Sequence, residues 1–117
     1  MSDSAKAILI DDDPLVRGAW LIRAKGAGVT IAVYESADAF RKIQGAVPLS
    51  LPIFVDSNLG DGIKGEVFAK ELSEKGFTAL YLATGYPPSY FKAMPWIKAI
   101  VTKDPPDWLF PRPTTPK

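Results

Sequence analysis

Five short apolar runs alternate along the chain with segments in which apolar residues recur at helical spacing. The runs cover residues 6–10, 29–34, 51–55, 78–83 and 97–102. Strands separated by helices of about ten residues are typical of βαβ units, and right-handed crossovers place such helices on both faces of a parallel sheet. We therefore predict one α/β domain with a doubly wound, five-stranded parallel sheet.

Four helical segments are predicted between the strands. They cover residues 14–25, 36–47, 66–75 and, in a short helix that Pro95 ends, 87–95. In the first of them, Leu15, Ala19 and Ile22 share one face and are predicted to pack on the sheet. Five prolines follow residue 104. Because proline is excluded from helix interiors, the last helix is predicted to be short or absent, with at most one turn over residues 107–110.

The composition removes several kinds of chemistry. The 117 residues contain no His and no Cys, which excludes imidazole ligands, a histidine base, disulfides and thiolate metal sites. Any metal site must therefore be built from oxygen. A net charge of +1 gives no electrostatic reason to expect nucleic acid or an anionic membrane as a partner. With no signal-peptide pattern and no membrane-spanning run, the expected location is cytoplasmic.

Three consecutive acids, Asp11, Asp12 and Asp13, follow the first predicted strand and precede Pro14. Adjacent carboxylates repel one another unless a cation or a set of donors compensates them, and a hard cation such as Mg2+ prefers oxygen ligands. The alternative is a helix N-cap followed by proline at the first helical position. Asp13 fits the cap, whereas Asp11 and Asp12 are not needed for it.

Polar side chains end three further strands of the predicted sheet. Asp56 ends the third strand, Thr84 the fourth and Lys103 the fifth. Because ligands of open parallel sheets bind outside the carboxyl ends of the strands, these residues are expected to meet Asp11 and Asp12 in one pocket.

This set of residues suits phosphoryl transfer to a carboxylate. Asp56 would be the nucleophile, and Mg2+ at Asp12, Asp56 and a loop carbonyl would neutralise phosphoryl charge. Asp11 would hold a water molecule on the metal. Lys103 and Thr84 would each contact a phosphoryl oxygen, and water would later hydrolyse the acyl phosphate.

The motifs resemble those of the receiver domain of two-component response regulators. They are Ile8-Leu9-Ile10-Asp11-Asp12-Asp13-Pro14, Val55-Asp56-Ser57-Asn58-Leu59-Gly60-Asp61-Gly62, Leu82-Ala83-Thr84-Gly85 and Val101-Thr102-Lys103. The resemblance covers about residues 6–103. It implies a flavodoxin-like sheet with strand order 2-1-3-4-5, and a stand-alone receiver with a truncated final helix.

The same resemblance assigns roles to residues. It implies phosphorylation of Asp56 by a sensor histidine kinase or a phosphotransfer protein, and Mg2+ held by Asp11, Asp12, Asp56 and the carbonyl of Asn58. It also implies that Thr84 moves toward the phosphoryl group and that a downstream protein target reads the change. Self-dephosphorylation is expected to be weak, and the protein is not expected to be an enzyme.

Three positions in the motifs depart from the receiver pattern. Gly60 stands where proline is usual, which predicts a looser and longer loop. Asp104 separates Lys103 from the proline that usually follows it directly. Ile100 replaces the usual aromatic switch residue, so the coupled rotation of a ring with Thr84 is not expected at that position.

The domain is predicted to end at residue 104, with residues 105–117 forming a Pro-rich tail. Without a full last helix, one face of the sheet needs another cover. Trp108, Leu109 and Phe110 are expected either to fold back over it or to leave it as an interface, which would make the protein a homodimer or dock it to another protein.

Two other functions fit parts of the sequence. A degenerate receiver would act as a phosphorylation-independent scaffold, and the three departures are consistent with that role. A small phosphatase of the haloacid dehalogenase type would use Asp11 as its nucleophile and Asp13 as the second acid. The cap and second acidic cluster that are usual in that family are missing.

Overall fold

The computed structural model describes residues 5–110, which form a five-stranded sheet flanked by helices. The strands are β1 (Ile8–Ile10), β2 (Ala32–Tyr34), β3 (Ile53–Asp56), β4 (Leu80–Ala83) and β5 (Ala99–Val101). The helices are α1 (Pro14–Gly26), α2 (Ala37–Arg41) and α3 (Gly65–Glu74), and two short 3-10 turns occupy Gln44–Ala46 and Pro88–Tyr90.

The sheet is entirely parallel, with the order β2-β1-β3-β4-β5. The predicted fold class and strand order are therefore confirmed. The register places Ile10 beside Val55, and Asp56 beside Ala83. The carboxyl ends of β1, β3 and β4 consequently lie next to one another, which is the geometry that positions the site.

Two hydrophobic cores cover the two faces of the sheet. One contains Phe40 of α2 and Phe68 and Leu72 of α3. The other contains Trp20 of α1 together with Phe54 of β3. Strands that are buried on both faces must be apolar throughout, which explains why the central strands read as continuous hydrophobic runs.

The predicted inner face of α1 is wrong. Leu15 and Ile22 are 81% and 74% exposed, and Ala19 is exposed too. Trp20 and Ala24 are buried instead. Both stripes have helical spacing, and the stripe that contains the tryptophan faces the sheet because a buried indole removes more apolar surface from water.

Two predicted helices are shorter than the periodicity suggested. After the cap residue Ser36, whose hydroxyl accepts from the Ala39 amide, α2 ends at Arg41 instead of continuing to residue 47. A glycine, Gly45, follows and weakens helix formation. The segment 87–95 makes only the 3-10 turn Pro88–Tyr90, and Phe91 is already extended.

Residues after β5 fold back over the face of the sheet that α1 shares. The amides of Leu109 and Phe110 both donate to the carbonyl of Pro106, which makes one turn. Leu109 and Phe110 are buried beside Trp20, whereas Trp108 is 56% exposed. The chain therefore packs as far as Phe110, and a domain boundary at residue 104 stays a prediction. The rest of the predicted tail, residues 111–117, lies outside the described residues.

No helix within residues 5–110 is both long and apolar enough to cross a membrane.

Candidate functional site

The three consecutive acids after β1 have different roles. Asp13 is the N-cap of α1, and its carboxylate accepts from the Leu15 amide at 2.9 Å. Asp11 is fully buried, and one of its carboxylate oxygens accepts from the Asp13 amide at 2.9 Å. Asp12 is exposed. Asp13 thus stabilises the helix, as the sequence indicated, while Asp11 and Asp12 remain available to the site.

Lys103 joins the acids of β1 and β3. Its Nζ lies 2.8 Å from Oδ2 of Asp11 and 2.6 Å from Oδ1 of Asp56. The backbone of Lys103 is held in turn by the indole of Trp20, whose Nε1 donates to the Lys103 carbonyl at 2.8 Å. The last strand and α1 therefore fix the ammonium group between two buried carboxylates.

The electrostatics of the pair Asp56 and Lys103 favour the protonated forms. Burial raises the pKa of Asp56, and the charge of Asp11 raises it further, although Lys103 and the Asn58 amide oppose this. Burial acts to lower the pKa of Lys103, but its hydrogen bonds to Asp11 and Asp56 outweigh burial and leave that pKa raised. Asp56 is thus an acid whose negative charge depends on a neighbouring cation.

Asp11, Asp12 and Asp56 form an acidic cluster in which one ligand oxygen from each lies within 4.8 Å of the others. Three carboxylate oxygens at this spacing fit a small divalent cation, and a hard cation is what such a donor set prefers. Asn58, the fourth predicted ligand, follows β3 in the same loop. Its amide approaches the Asp56 carboxylate, and its side-chain oxygen accepts from the Gly60 amide at 3.1 Å.

Two glycines shape the loop that follows Asp56. Gly60 has φ of 79°, a conformation that proline cannot adopt, so the loop could not follow its present path with proline at this position. At Gly65 a Cβ would lie 1.7 Å from the backbone carbonyl oxygen of Asp56. Only glycine lets α3 begin this close to the acid.

Thr84 is buried at the end of β4, and its hydroxyl group already takes part in two hydrogen bonds. Its Oγ1 lies 2.9 Å from Oγ of Ser57 and accepts from the Tyr86 amide at 3.1 Å. Ser57 immediately follows Asp56. The hydroxyl predicted to contact a phosphoryl group is therefore held by a neighbour of the candidate nucleophile.

A cavity of about 520 Å³ opens beside Thr84, between the ends of β4 and β5. Its walls include Tyr86, Ile100 and Lys103. Ile100 pairs with Leu82 in the sheet. The cavity therefore lies where the side chain at position 100, Thr84 and Lys103 meet.

The structure brings together Asp11, Asp12, Asp56, Thr84 and Lys103. The sequence analysis did not identify three residues that form hydrogen bonds to these site residues. They are Ser57, Trp20 and Arg17, whose Nη1 donates to the Asp11 carbonyl at 2.9 Å. Only Ser57 carried a usable signal, because a hydroxyl directly follows the candidate nucleophile.

Comparison with solved structures identifies receiver domains as neighbours of this fold. A CheY-like receiver domain from Methanospirillum hungatei JF-1 is 22% identical, with a TM-score of 0.68, over 86% of this chain and 82% of that one. Full-length FixJ from B. japonicum is 19% identical, with a TM-score of 0.72, over 91% of this chain and 53% of that one.

The N-terminal domain of a response regulator/sensory box/GGDEF 3-domain protein from Carboxydothermus hydrogenoformans is 15% identical, with a TM-score of 0.70, over 87% and 84% of the two chains. No family model matches the chain, and no curated protein matches it. The resemblance to receiver domains is confirmed at the level of the fold.

Proposed function

We propose that this protein is a phosphoacceptor signalling domain of a two-component system, located in the cytoplasm, which takes a phosphoryl group onto Asp56. The observation that carries the proposal is the position of the Lys103 ammonium, 2.6 Å from Asp56 and 2.8 Å from Asp11. A buried carboxylate beside both a cation and a carboxylate cluster has the surroundings of an activated nucleophile.

The reaction forms one bond and breaks one. A carboxylate oxygen of Asp56 attacks phosphorus, the bond between phosphorus and the donor atom breaks, and the donor leaves with the electron pair. The product is an acyl phosphate on Asp56. Water later attacks phosphorus, which releases inorganic phosphate and restores the carboxylate, and this return step is slow.

Asp11, Asp12, Asp56 and the carbonyl of Asn58 are the residues that would hold Mg2+. When bound, the ion neutralises charge on the phosphoryl oxygens. Lys103 supplies a second positive charge at the same oxygens after it exchanges its contact with Asp56 for one with the phosphoryl group. Burial of Asp11 and Asp56 keeps these interactions out of bulk water and therefore strengthens them.

Thr84 and the residue at position 100 form the switch in this proposal. Either hydroxyl can donate in the present hydrogen bond between Thr84 and Ser57, and Thr84 donates to a phosphoryl oxygen only in an arrangement in which its proton does not point at Ser57. Ile100 borders the same cavity and has no ring to rotate with it. Motion of Thr84 would therefore reshape the surface near β5 without an aromatic partner at position 100.

The partners follow from this reaction. A sensor histidine kinase or a phosphotransfer protein donates the phosphoryl group, and a downstream protein reads the altered surface. In a second form of the proposal, the altered surface is the contact between two copies of this chain in a homodimer. The Leu109–Phe110 turn that covers the sheet leaves Trp108 exposed beside Phe54 and Tyr81, which makes this part of the sheet face the proposed contact.

The proposal is tested by adding Mg2+ and acetyl phosphate, or beryllofluoride, and following intact mass and amide NMR spectra. We expect the wild type to gain one phosphoryl group and Asp56→Ala to gain none. Asp12→Asn should weaken labelling because it removes the negative charge of a proposed metal ligand. Asp13→Asn is the matched control, since it removes the same charge one residue away but keeps the helix cap.

The alternatives give other results in the same experiment. A haloacid dehalogenase-type phosphatase would turn over acetyl phosphate in Asp56→Ala but not in Asp11→Ala. A phosphorylation-independent scaffold would show neither labelling nor spectral change. Asp13 already argues against the phosphatase, because it caps α1 and is not free to serve as that enzyme's second acid.

A further inference from the structure

A second cavity lies on the other side of Tyr86, and its walls combine aromatic rings with a carboxylate. Its volume is about 280 Å³. The lining includes Tyr86, Tyr90 and Phe91 together with Glu66 near the start of α3. It shares Ser57 and Asn58 with the loop after β3 but contains neither Asp11 nor Asp56.

The aromatic wall has a defined geometry. Tyr86 and Tyr90 stack with ring centroids 4.5 Å apart and planes 12° apart. Phe91 is nearly perpendicular to both, at 80° and 81°. Tyr86 and Tyr90 are exposed, so the stack is not simply part of the core. Ring faces attract cations through their quadrupoles.

Glu66 supplies a carboxylate that forms no ion pair with any described residue. Its Oε1 atom is buried and makes no hydrogen bond to any described residue. Within residues 5–110, no lysine or arginine lies at ion-pair distance from it. Lys64 also lines the cavity but is exposed. A carboxylate that lacks a donor or a counter-ion is costly to bury, and because Glu66 lines the cavity, a cation bound there would offset its charge.

We propose that this cavity binds a compact organic cation, an alkylammonium or guanidinium group, with Glu66 as its counter-ion and the tyrosine stack with Phe91 as its aromatic wall. The cavity is smaller than most drug-sized sites, which are about 300–1,000 Å³, and therefore suits a head group with a short alkyl chain. The cation is either a free small amine or the end of a lysine or arginine side chain of a partner protein. Binding does not require phosphorylation of Asp56.

The test is an NMR titration of the full chain with butylammonium chloride and methylguanidinium chloride, against butanol and ionic-strength-matched NaCl. The indole of Trp96 reports on the site, because its Nε1 donates to the Glu66 carbonyl at 2.9 Å. The indole of Trp20, in the core on the opposite face of the sheet, is the internal reference. We expect saturable shifts at Trp96, Tyr86 and Phe91 with the two cations only.

Glu66→Gln should weaken cation binding about tenfold, as expected for loss of a charged hydrogen-bond acceptor. Tyr90→Leu should also weaken it. Glu74→Gln, at the exposed far end of α3, is the control for charge and should bind like the wild type. The Trp96 indole resonance of unliganded Glu66→Gln shows whether that variant keeps the fold.

The peptide acetyl-Gly-Lys-Gly-amide separates the two sources of the cation. If it binds more tightly than butylammonium, the site recognises a partner's side chain, and if it binds more weakly, the site favours a free amine. Shifts no larger than those with NaCl, or binding by Glu66→Gln within twofold of the wild type, would overturn the proposal.

Discussion

Lys103 is the residue on which the electrostatics of the acidic site depends. Its ammonium contacts two buried carboxylates, and its pKa is raised above the ordinary value of 10.5. The folded protein therefore holds this proton more tightly than the unfolded chain does. The resulting stabilisation is complete below pH 10.5 and is lost as the pH rises through the folded-state pKa.

Replacing Lys103 by Met should remove this part of the pH dependence. We expect the free energy of unfolding of the wild type to fall above pH 10.5 more steeply than that of Lys103→Met. At neutral pH the variant should be less stable, because Asp11 and Asp56 are left without their cation. Urea unfolding between pH 7 and pH 12 measures both. Parallel curves for the two proteins would contradict the ion pair.

Ser57 is a positioning residue for Thr84 if the hydrogen bond between their hydroxyls holds Thr84 in the unphosphorylated state. Ser57→Ala releases Thr84, so the amide resonances of Thr84 and Tyr86 should move toward their beryllofluoride-bound positions before any activator is added. Ser57→Thr keeps a hydroxyl and should restore the wild-type positions. Unchanged resonances in Ser57→Ala would show that the bond does not position Thr84.

At the scale of elements, the start of α3 has no room for a side chain at Gly65. Gly65→Ala would force a Cβ to within 1.7 Å of the Asp56 carbonyl oxygen, and this contact with backbone cannot be relieved by a side-chain rotation. We expect a loss of stability of about 2–4 kcal/mol together with loss of Mg2+ binding, measured by thermal unfolding with and without the ion.

Gly18→Ala is the matched control for that substitution. Gly18 lies inside α1, and an added Cβ meets nothing within 4 Å. Alanine is the better helix former, so this variant should gain about 0.5–1 kcal/mol. A similar loss of stability in both variants would mean that the close contact at Gly65 is not what requires glycine.

The elements also show where sequence reasoning reaches its limit. Parallel strand ends gather at one edge of a sheet, so Asp11, Asp56 and Lys103 could be placed together from the order of apolar runs alone. The buried face of α1 could not be found in this way, because the stripes through Leu15 and through Trp20 have equal spacing. Contacts such as Trp20 with the Lys103 carbonyl join residues far apart in sequence and leave no local pattern.

At the scale of the whole molecule, the turn that ends at Phe110 covers part of the sheet face that α1 shares. Phe110 is buried in the core that contains Trp20, so Phe110→Ala should cost about 3–5 kcal/mol and expose apolar surface to a hydrophobic dye. Leu15→Ala, at an exposed position, should change the stability by less than about 0.5 kcal/mol. Thermal unfolding compares the two, and equal effects would mean that the turn does not complete the core.

The identity of the acid that carries phosphorus is the claim that most needs a direct measurement. Borohydride reduces an aspartyl phosphate to homoserine, and peptide mass spectrometry then locates the reduced residue. After treatment with Mg2+ and acetyl phosphate, we expect homoserine at position 56 alone. Homoserine at position 11, or at no position while acetyl phosphate is consumed, would contradict the proposed function.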